Sequence, residues 1–293
     1  MSYLIVPKDV SASTAAVWVG AVNERPGGSR ISLESPAGSA PLDPNWSRWQ
    51  SQDGSRTLDH RRVLVTGLQP RRTYSLALQV DGQTRAAGSV TTLPAQLPAV
   101  GDRPFTVLLG SCFCMAKDGA GLVGRAWFQL AGAARPEVKI LCGDQVYLDS
   151  PWHHFLFNTH NRRELEEQFF TTYVQTWTQR GDAAGFQRVL EDGANYFSSD
   201  DHEYWNNAPK AGVYVRDTWS AGGRRQWLEA ARDLFRRFQT ESPVAAFAAP
   251  PLSFRVAETR LNRTSDRARF MNAADLSALG QWIDGLAGPG VLV

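Results

Sequence analysis

Three segments of this chain repeat one pattern: a short apolar run, then a loop rich in polar side chains that can bind a metal. They are Thr106-Val107-Leu108-Leu109-Gly110-Ser111-Cys112, Val138-Lys139-Ile140-Leu141-Cys142-Gly143-Asp144, and Asn195-Tyr196-Phe197 running into Ser198-Ser199-Asp200-Asp201-His202-Glu203-Tyr204-Trp205-Asn206-Asn207. Each apolar run reads as a buried strand. Helical patterns lie between them. Leu122 to Ala134 is one, stopped by Pro136, and Leu165, Phe169, Tyr173 and Trp177 mark one face of another. Strands alternating with helices define an α/β domain. In open α/β sheets ligands bind beyond the carboxyl ends of the strands, where all three polar loops fall. If the strands are neighbours, Cys112, Asp144 and Asp201 converge.

The α/β pattern occupies residues 105–293. A short helix near Ala183 to Leu190 leads into the strand before Asp200. Trp227, Leu228, Ala231, Leu234, Phe235 and Phe238 form an apolar helical stripe, with Arg224, Arg225, Arg232, Arg236 and Arg237 on its polar side. Ser253–Ala257 reads as a strand. Leu276, Leu279, Ile283 and Leu286 define a last helix, and Val291-Leu292-Val293 opens a further strand. A chain that stops there is expected to be cut short at its C-terminus.

Residues 1–95 read differently. Thr14–Val22, Arg30–Glu34, Arg62–Val65, Thr73–Val80 and Arg85–Thr92 are strand-like, with turn signals at 26–28, 35–38 and 81–82. Short strands at this spacing predict an all-β sandwich. Val65 to Tyr74 resembles the corner of a fibronectin type III-like sandwich, in which a tyrosine hydroxyl bonds back to the backbone. Residues 96–104, rich in proline, read as a linker.

The net charge of +2 gives no nucleic-acid footprint, and no apolar stretch is long enough for a membrane span. The N-terminus lacks a secretory leader, so a cytoplasmic location is expected. Three cysteines, Cys112, Cys114 and Cys142, make no disulfide framework.

The loop residues carry the chemistry. A thiolate, carboxylates and an imidazole suit a transition metal, while the carboxylates alone equally suit calcium or magnesium. Gly143 allows a sharp turn before Asp144. Tyr147, three residues on, can return a phenolate to the same ion. His153, His154 and His160 read as lid or surface residues.

Gly143-Asp144-Gln145-Val146-Tyr147 resembles the Gly-Asp-x-x-Tyr block of metallophosphoesterases. Ser199-Asp200-Asp201-His202-Glu203 with Asn206-Asn207 resembles the Asp-Asp-His-Glu block of the PhoD-like alkaline phosphatase and phosphodiesterase family. Gly110-Ser111-Cys112 resembles that family's Ser-Cys motif. Phe254 to Arg263 resembles its Asp-Thr-Arg strand, with Glu258 in place of the Asp. The resemblance implies a four-layer α/β-β/α metallophosphoesterase domain after the sandwich. It also implies a di- or trinuclear centre of iron with calcium, and hydrolysis of small-molecule, lipid or nucleotide phosphate esters. Carried over, Cys112 and Tyr147 become iron ligands, Asp144 the bridging carboxylate and Asp201 a ligand of the second ion. His202 stabilises the transition state or protonates the leaving group. Asp200 and Asn206 become ligand or supporting residues. The family also has a C-terminal Gly-Asp-Val-His-like block, which this sequence does not contain. A catalytically inactive relative that binds through its sandwich is the alternative reading.

Overall fold

A computed structural model of the chain describes residues 2–26, 31–35, 38–42, 45–97, 104–119, 121–130, 135–179, 185–240, 244–264, 266 and 268–293. The N-terminal strands are β1 (Ser2–Val10), β2 (Ala15–Val22), β3 (Ile31–Ser35), β4 (Gly38–Pro41), β5 (Ser47–Gln50), β6 (Thr57–Val65), β7 (Thr73–Val80) and β8 (Gln83–Thr91). Then follow β9 (Val107–Gly110), α1 (Met115–Asp118), α2 (Leu122–Gln129), β10 (Val138–Cys142), α3 (His153–Leu156), α4 (Arg162–Trp177), α5 (Phe186–Glu191) and β11 (Ala194–Ser198). The chain continues with α6 (Ala221–Phe238), β12 (Val244–Ala249), β13 (Leu252–Ala257), α7 (Ala273–Asp284) and β14 (Gly290–Leu292).

These strands form three sheets, in the orders β5-β6-β2-β1-β11-β10-β9, β4-β3-β7-β8 and β12-β13-β14. The first is mixed. β9, β10 and β11 are parallel neighbours, with Leu141 opposite Gly110 and Cys142 opposite Ser198. β1 joins β11 in parallel at Lys8 and Asn195, and pairs antiparallel with β2 on its other side. The large sheet therefore runs through the boundary expected near residue 95. A sequence scan cannot see this pairing, because its two partners lie almost two hundred residues apart.

Both faces of the large sheet are buried, and the period-2 alternation of its strands sorts the side chains. Leu4, Val6 and Trp18 enter one apolar cluster with α4 and α6. Ile5, Val17 and Val19 enter the other, with Leu76, Leu78 and Val90 of β7 and β8 and with Ile140 and Tyr196 of β10 and β11. One large side chain fully buried in such a cluster contributes roughly 1.5–3 kcal/mol. The hydroxyl of Tyr74 accepts the Gln69 N–H at 2.7 Å, the bond expected of the corner tyrosine.

The two long helices form where their apolar stripes predict. Leu165, Phe169, Tyr173 and Trp177 of α4 are fully buried, as are Trp227, Leu234 and Phe238 of α6. Asn161 caps α4, accepting the Arg163 and Glu164 N–H groups, while the Glu164 side chain accepts the N–H of Asn161. Between the helices and the sheet the Lys8 ammonium donates to the Phe238 carbonyl at 2.6 Å. It also faces the rings of Trp18, Trp177 and Phe197 at 5.2–5.5 Å, which compensates a buried charge.

Several expectations change. β1, β4, β5 and β12 are strands that the patterns do not single out, and β6 begins at Thr57 because Asp59 and His60 are buried despite their polarity. The stripe of α7 is not covered: Leu276 is 61% and Ile283 51% exposed. Residues 27–28, 36–37, 98–103, 131–134 and 183–184 lie outside the described residues. They include parts of two expected turns, most of the expected linker and the ends of two expected helices. No helix among the described residues is long and apolar enough to cross a membrane.

Candidate metal centre

Because β9, β10 and β11 are adjacent and parallel, their carboxyl-end loops meet. The Cys112 N–H donates to the Gly143 carbonyl at 3.2 Å, tying the first loop to the second. Cys112 and Asp144 both sit in the left-handed region, at φ 60° and 58°, where a non-glycine residue is strained. Gly143 is required beside them. It has φ 86°, and a Cβ there would lie 2.3 Å from the Asp200 backbone nitrogen of the third loop.

Glu203 holds the second and third loops together. Its fully buried carboxylate accepts the N–H groups of Asp144 and Gln145 at 2.8 Å each, and of Asp200 at 2.9 Å. Burial pushes its pKa up to about 7 against these hydrogen bonds. Behind it, the Gln239 amide donates to Gln145 Oε1 at 3.2 Å and accepts the Tyr173 hydroxyl at 2.8 Å. The loop floor is thereby anchored to α4 and the end of α6.

Asp144, Asp201 and His202 each offer one ligand atom, and these atoms lie within 4.8 Å of one another. Asp144 Oδ1 accepts the His202 N–H at 3.1 Å, and Oδ2 accepts the Cys112 thiol at 3.4 Å. Asp201 Oδ2 accepts the Asn207 N–H at 2.5 Å. The His202 ring lies over Tyr147, with centroids 4.2 Å apart, and its Nδ1 is 2.8 Å from Asp149 Oδ1. Burial opposes the imidazolium. The Asp149 hydrogen bond and charge, with Asp144 and Asp201, raise the His202 pKa overall. Burial raises the Asp144 pKa, and Asp200 and Asp201 push the same way. Burial, with the Asp144 carboxylate beside it, likewise raises that of Tyr147.

The donor set fits a metal ion. Two carboxylates and an imidazole converge, a thiol and a phenol lie alongside, and the carboxylates crowd one another in a way that a cation relieves.

The remaining expected residues fall differently. Asp200 stands outside the triad and pairs with Arg260 at 2.5 Å. Asn206 accepts from the Asn207 side-chain amide at 2.9 Å, and its own N–H donates to Asp149 at 2.8 Å. His153 and His154 are exposed, whereas the ring of His160 is fixed by Asp217 at 2.8 Å. On α6, Arg224 donates to the Thr218 carbonyl at 2.6 Å and Arg237 pairs with Asp233 at 2.8 Å. Both act as ties within the fold.

Sequence reasoning passes over Asp149. The available signal was its spacing, five residues beyond Asp144 and two beyond Tyr147, in one acidic loop. Glu258, noted only as a departure from Asp-Thr-Arg, accepts the Ser199 N–H at 2.7 Å and those of Arg260 and Leu261 at 2.7 and 2.9 Å. It shapes the third loop from below.

A mixed α/β fold with an acidic and imidazole cluster at the carboxyl ends of parallel strands is the class defined here. Among solved structures it is similar to the structure of PhoD, with a TM-score of 0.67 and 15% sequence identity over 98% of this chain. The fold is PhoD-like. The chain spans 60% of the length of that PhoD chain. No family model matches the sequence, and no curated protein matches it.

Proposed function

We propose that this chain carries the catalytic loops of a metal-dependent phosphoesterase of the PhoD-like kind, hydrolysing phosphate mono- or diesters. The observation that carries this reading is the convergence of Asp144, Asp201 and His202 within 4.8 Å on a PhoD-like fold. Cys112 and Tyr147 would join Asp144 in holding the first ion, and Asp201 would hold the second, with iron and calcium the metals the family resemblance favours. When bound, such ions neutralise phosphoryl charge and lower the pKa of a water molecule toward ~7. Asp144 would serve both ions, and Gly143 and Glu203 hold the loop that carries it. With Nδ1 of His202 engaged by Asp149, Nε2 is the nitrogen available to a phosphoryl oxygen or leaving group. Asp149 favours the protonated ring, the form that can donate to a departing alkoxide. Asp200 acts through Arg260 to support the third loop, and Asn206 contributes a polar edge to the substrate cleft.

The test is turnover of p-nitrophenyl phosphate and of its bis ester by the purified chain, together with its metal content. Bound metal and turnover that Asp144→Ala abolishes support the reading. Absent metal and absent turnover would sink it, and would favour an inactive relative.

A further inference from the structure

Beside the metal centre a cleft of about 330 Å³ opens from Tyr147 and His202. It is lined by Trp152, the loop carrying Tyr214, Asn206 and Asn207. Trp152 is 53% exposed and Tyr214 57%, and their ring centroids lie 5.3 Å apart at 46°. Large apolar side chains left in water on a mobile loop would be unremarkable, but this loop is braced. The Trp219 indole donates to the Gly212 carbonyl at 3.0 Å, and the Trp205 indole donates to the Lys210 carbonyl. The Thr218 hydroxyl accepts the Gly212 N–H and donates to the Val215 carbonyl, both at 2.7 Å. The loop thus holds Tyr214 at a fixed place beside Trp152, the condition of a recognition surface.

The charge of the cleft narrows the occupant. Among the described residues no lysine or arginine lines it, while Asp149 does. A second phosphate group would meet the Asp149 carboxylate, and the His202 imidazole of the same lining already faces the first phosphate position. An uncharged flat ring meets two exposed aromatic side chains and two amides.

The geometry points to a subsite for an uncharged aromatic group of a phosphodiester, formed by Trp152 and Tyr214 next to the phosphate position. This rests on the phosphoesterase reading of the same centre. Trp152 and Tyr214 are specificity residues here: they contact the ring and take no part in bond breaking.

Binding of diphenyl phosphate and of diethyl phosphate to the full chain, measured by calorimetry, tests this. The wild type is expected to bind diphenyl phosphate at least tenfold more tightly. Trp152→Ala and Tyr214→Ala each bring the two ligands to within about threefold, Trp152→Phe restores the preference, and diethyl phosphate affinity stays unchanged. Failure to bind diphenyl phosphate, equal binding of the two ligands, or an aryl preference that survives both alanine variants overturns the subsite. Turnover separates the two ideas. Hydrolysis without aryl preference removes the subsite and keeps the phosphoesterase. Aryl preference without hydrolysis does the opposite.

Discussion

Asp149 holds the His202 ring by Nδ1 at 2.8 Å while its second oxygen takes the Asn206 N–H at 2.8 Å, so one carboxylate fixes both the imidazole and the wall of the cleft. A carboxylate that orients a reacting imidazole also sets its tautomer and basicity. Asp149→Asn is expected to lower kcat for bis-p-nitrophenyl phosphate about 10–100-fold with little change in KM. It should also move the limb of the pH–rate profile that reports the imidazolium to lower pH. An unchanged profile would mean that Asp149 is only a loop tie.

Glu203 predicts a coupling between stability and site. Glu203→Ala strips the acceptor from three buried N–H groups and should cost about 3 kcal/mol or more, read as a fall in the urea midpoint at constant slope. Glu203→Gln keeps one acceptor oxygen and should lose less. Equal, small losses in both variants would contradict the bracing role.

Gly143→Ala should be among the most damaging single-methyl changes in the chain. The added carbon would sit 2.3 Å from the Asp200 nitrogen, at a φ of 86° that L-residues rarely adopt. Metal content is expected to fall together with the melting temperature. A variant with normal metal content and unchanged melting would show that the second and third loops can separate freely.

His60 makes the fold sensitive to acid. It is buried against Trp18, with ring centroids 6.0 Å apart, and neither ring nitrogen has a hydrogen-bond partner among the described residues. Burial, reinforced by Arg237 and Lys8, lowers its pKa from 6.5 to about 4. The folded state therefore binds this proton less tightly than the unfolded chain. The stability conferred by the neutral ring is complete above pH 6.5 and is lost as pH falls toward 4, by up to about 3 kcal/mol. Urea midpoints between pH 7.5 and 4.5 should fall more steeply in the wild type than in His60→Phe. Parallel slopes would contradict this.

Much of the site was legible because its ligands follow short apolar runs, and such runs identify buried strands wherever they pair. Cys112, Asp144 and Asp201 could be placed together once the three strands were taken as neighbours; His202 joins Asp144 and Asp201 in the structure. Asp200 could not be told from Asp201 by sequence, because what separates them is the Arg260 guanidinium, sixty residues away. Asp149 escaped for a related reason: an acid in a polar loop has no periodicity to mark it. The junction of β1 with β11 was equally invisible, since strand pairing at long range leaves no local pattern.

The most direct measurement of the central claim is hydrolysis of bis-p-nitrophenyl phosphate by the purified chain, before chelation, after it, and after metal is returned. At least a hundredfold loss on chelation is expected, with recovery when metal is restored and no recovery in Asp144→Ala. Turnover that survives chelation, or that Asp144→Ala retains, would contradict it.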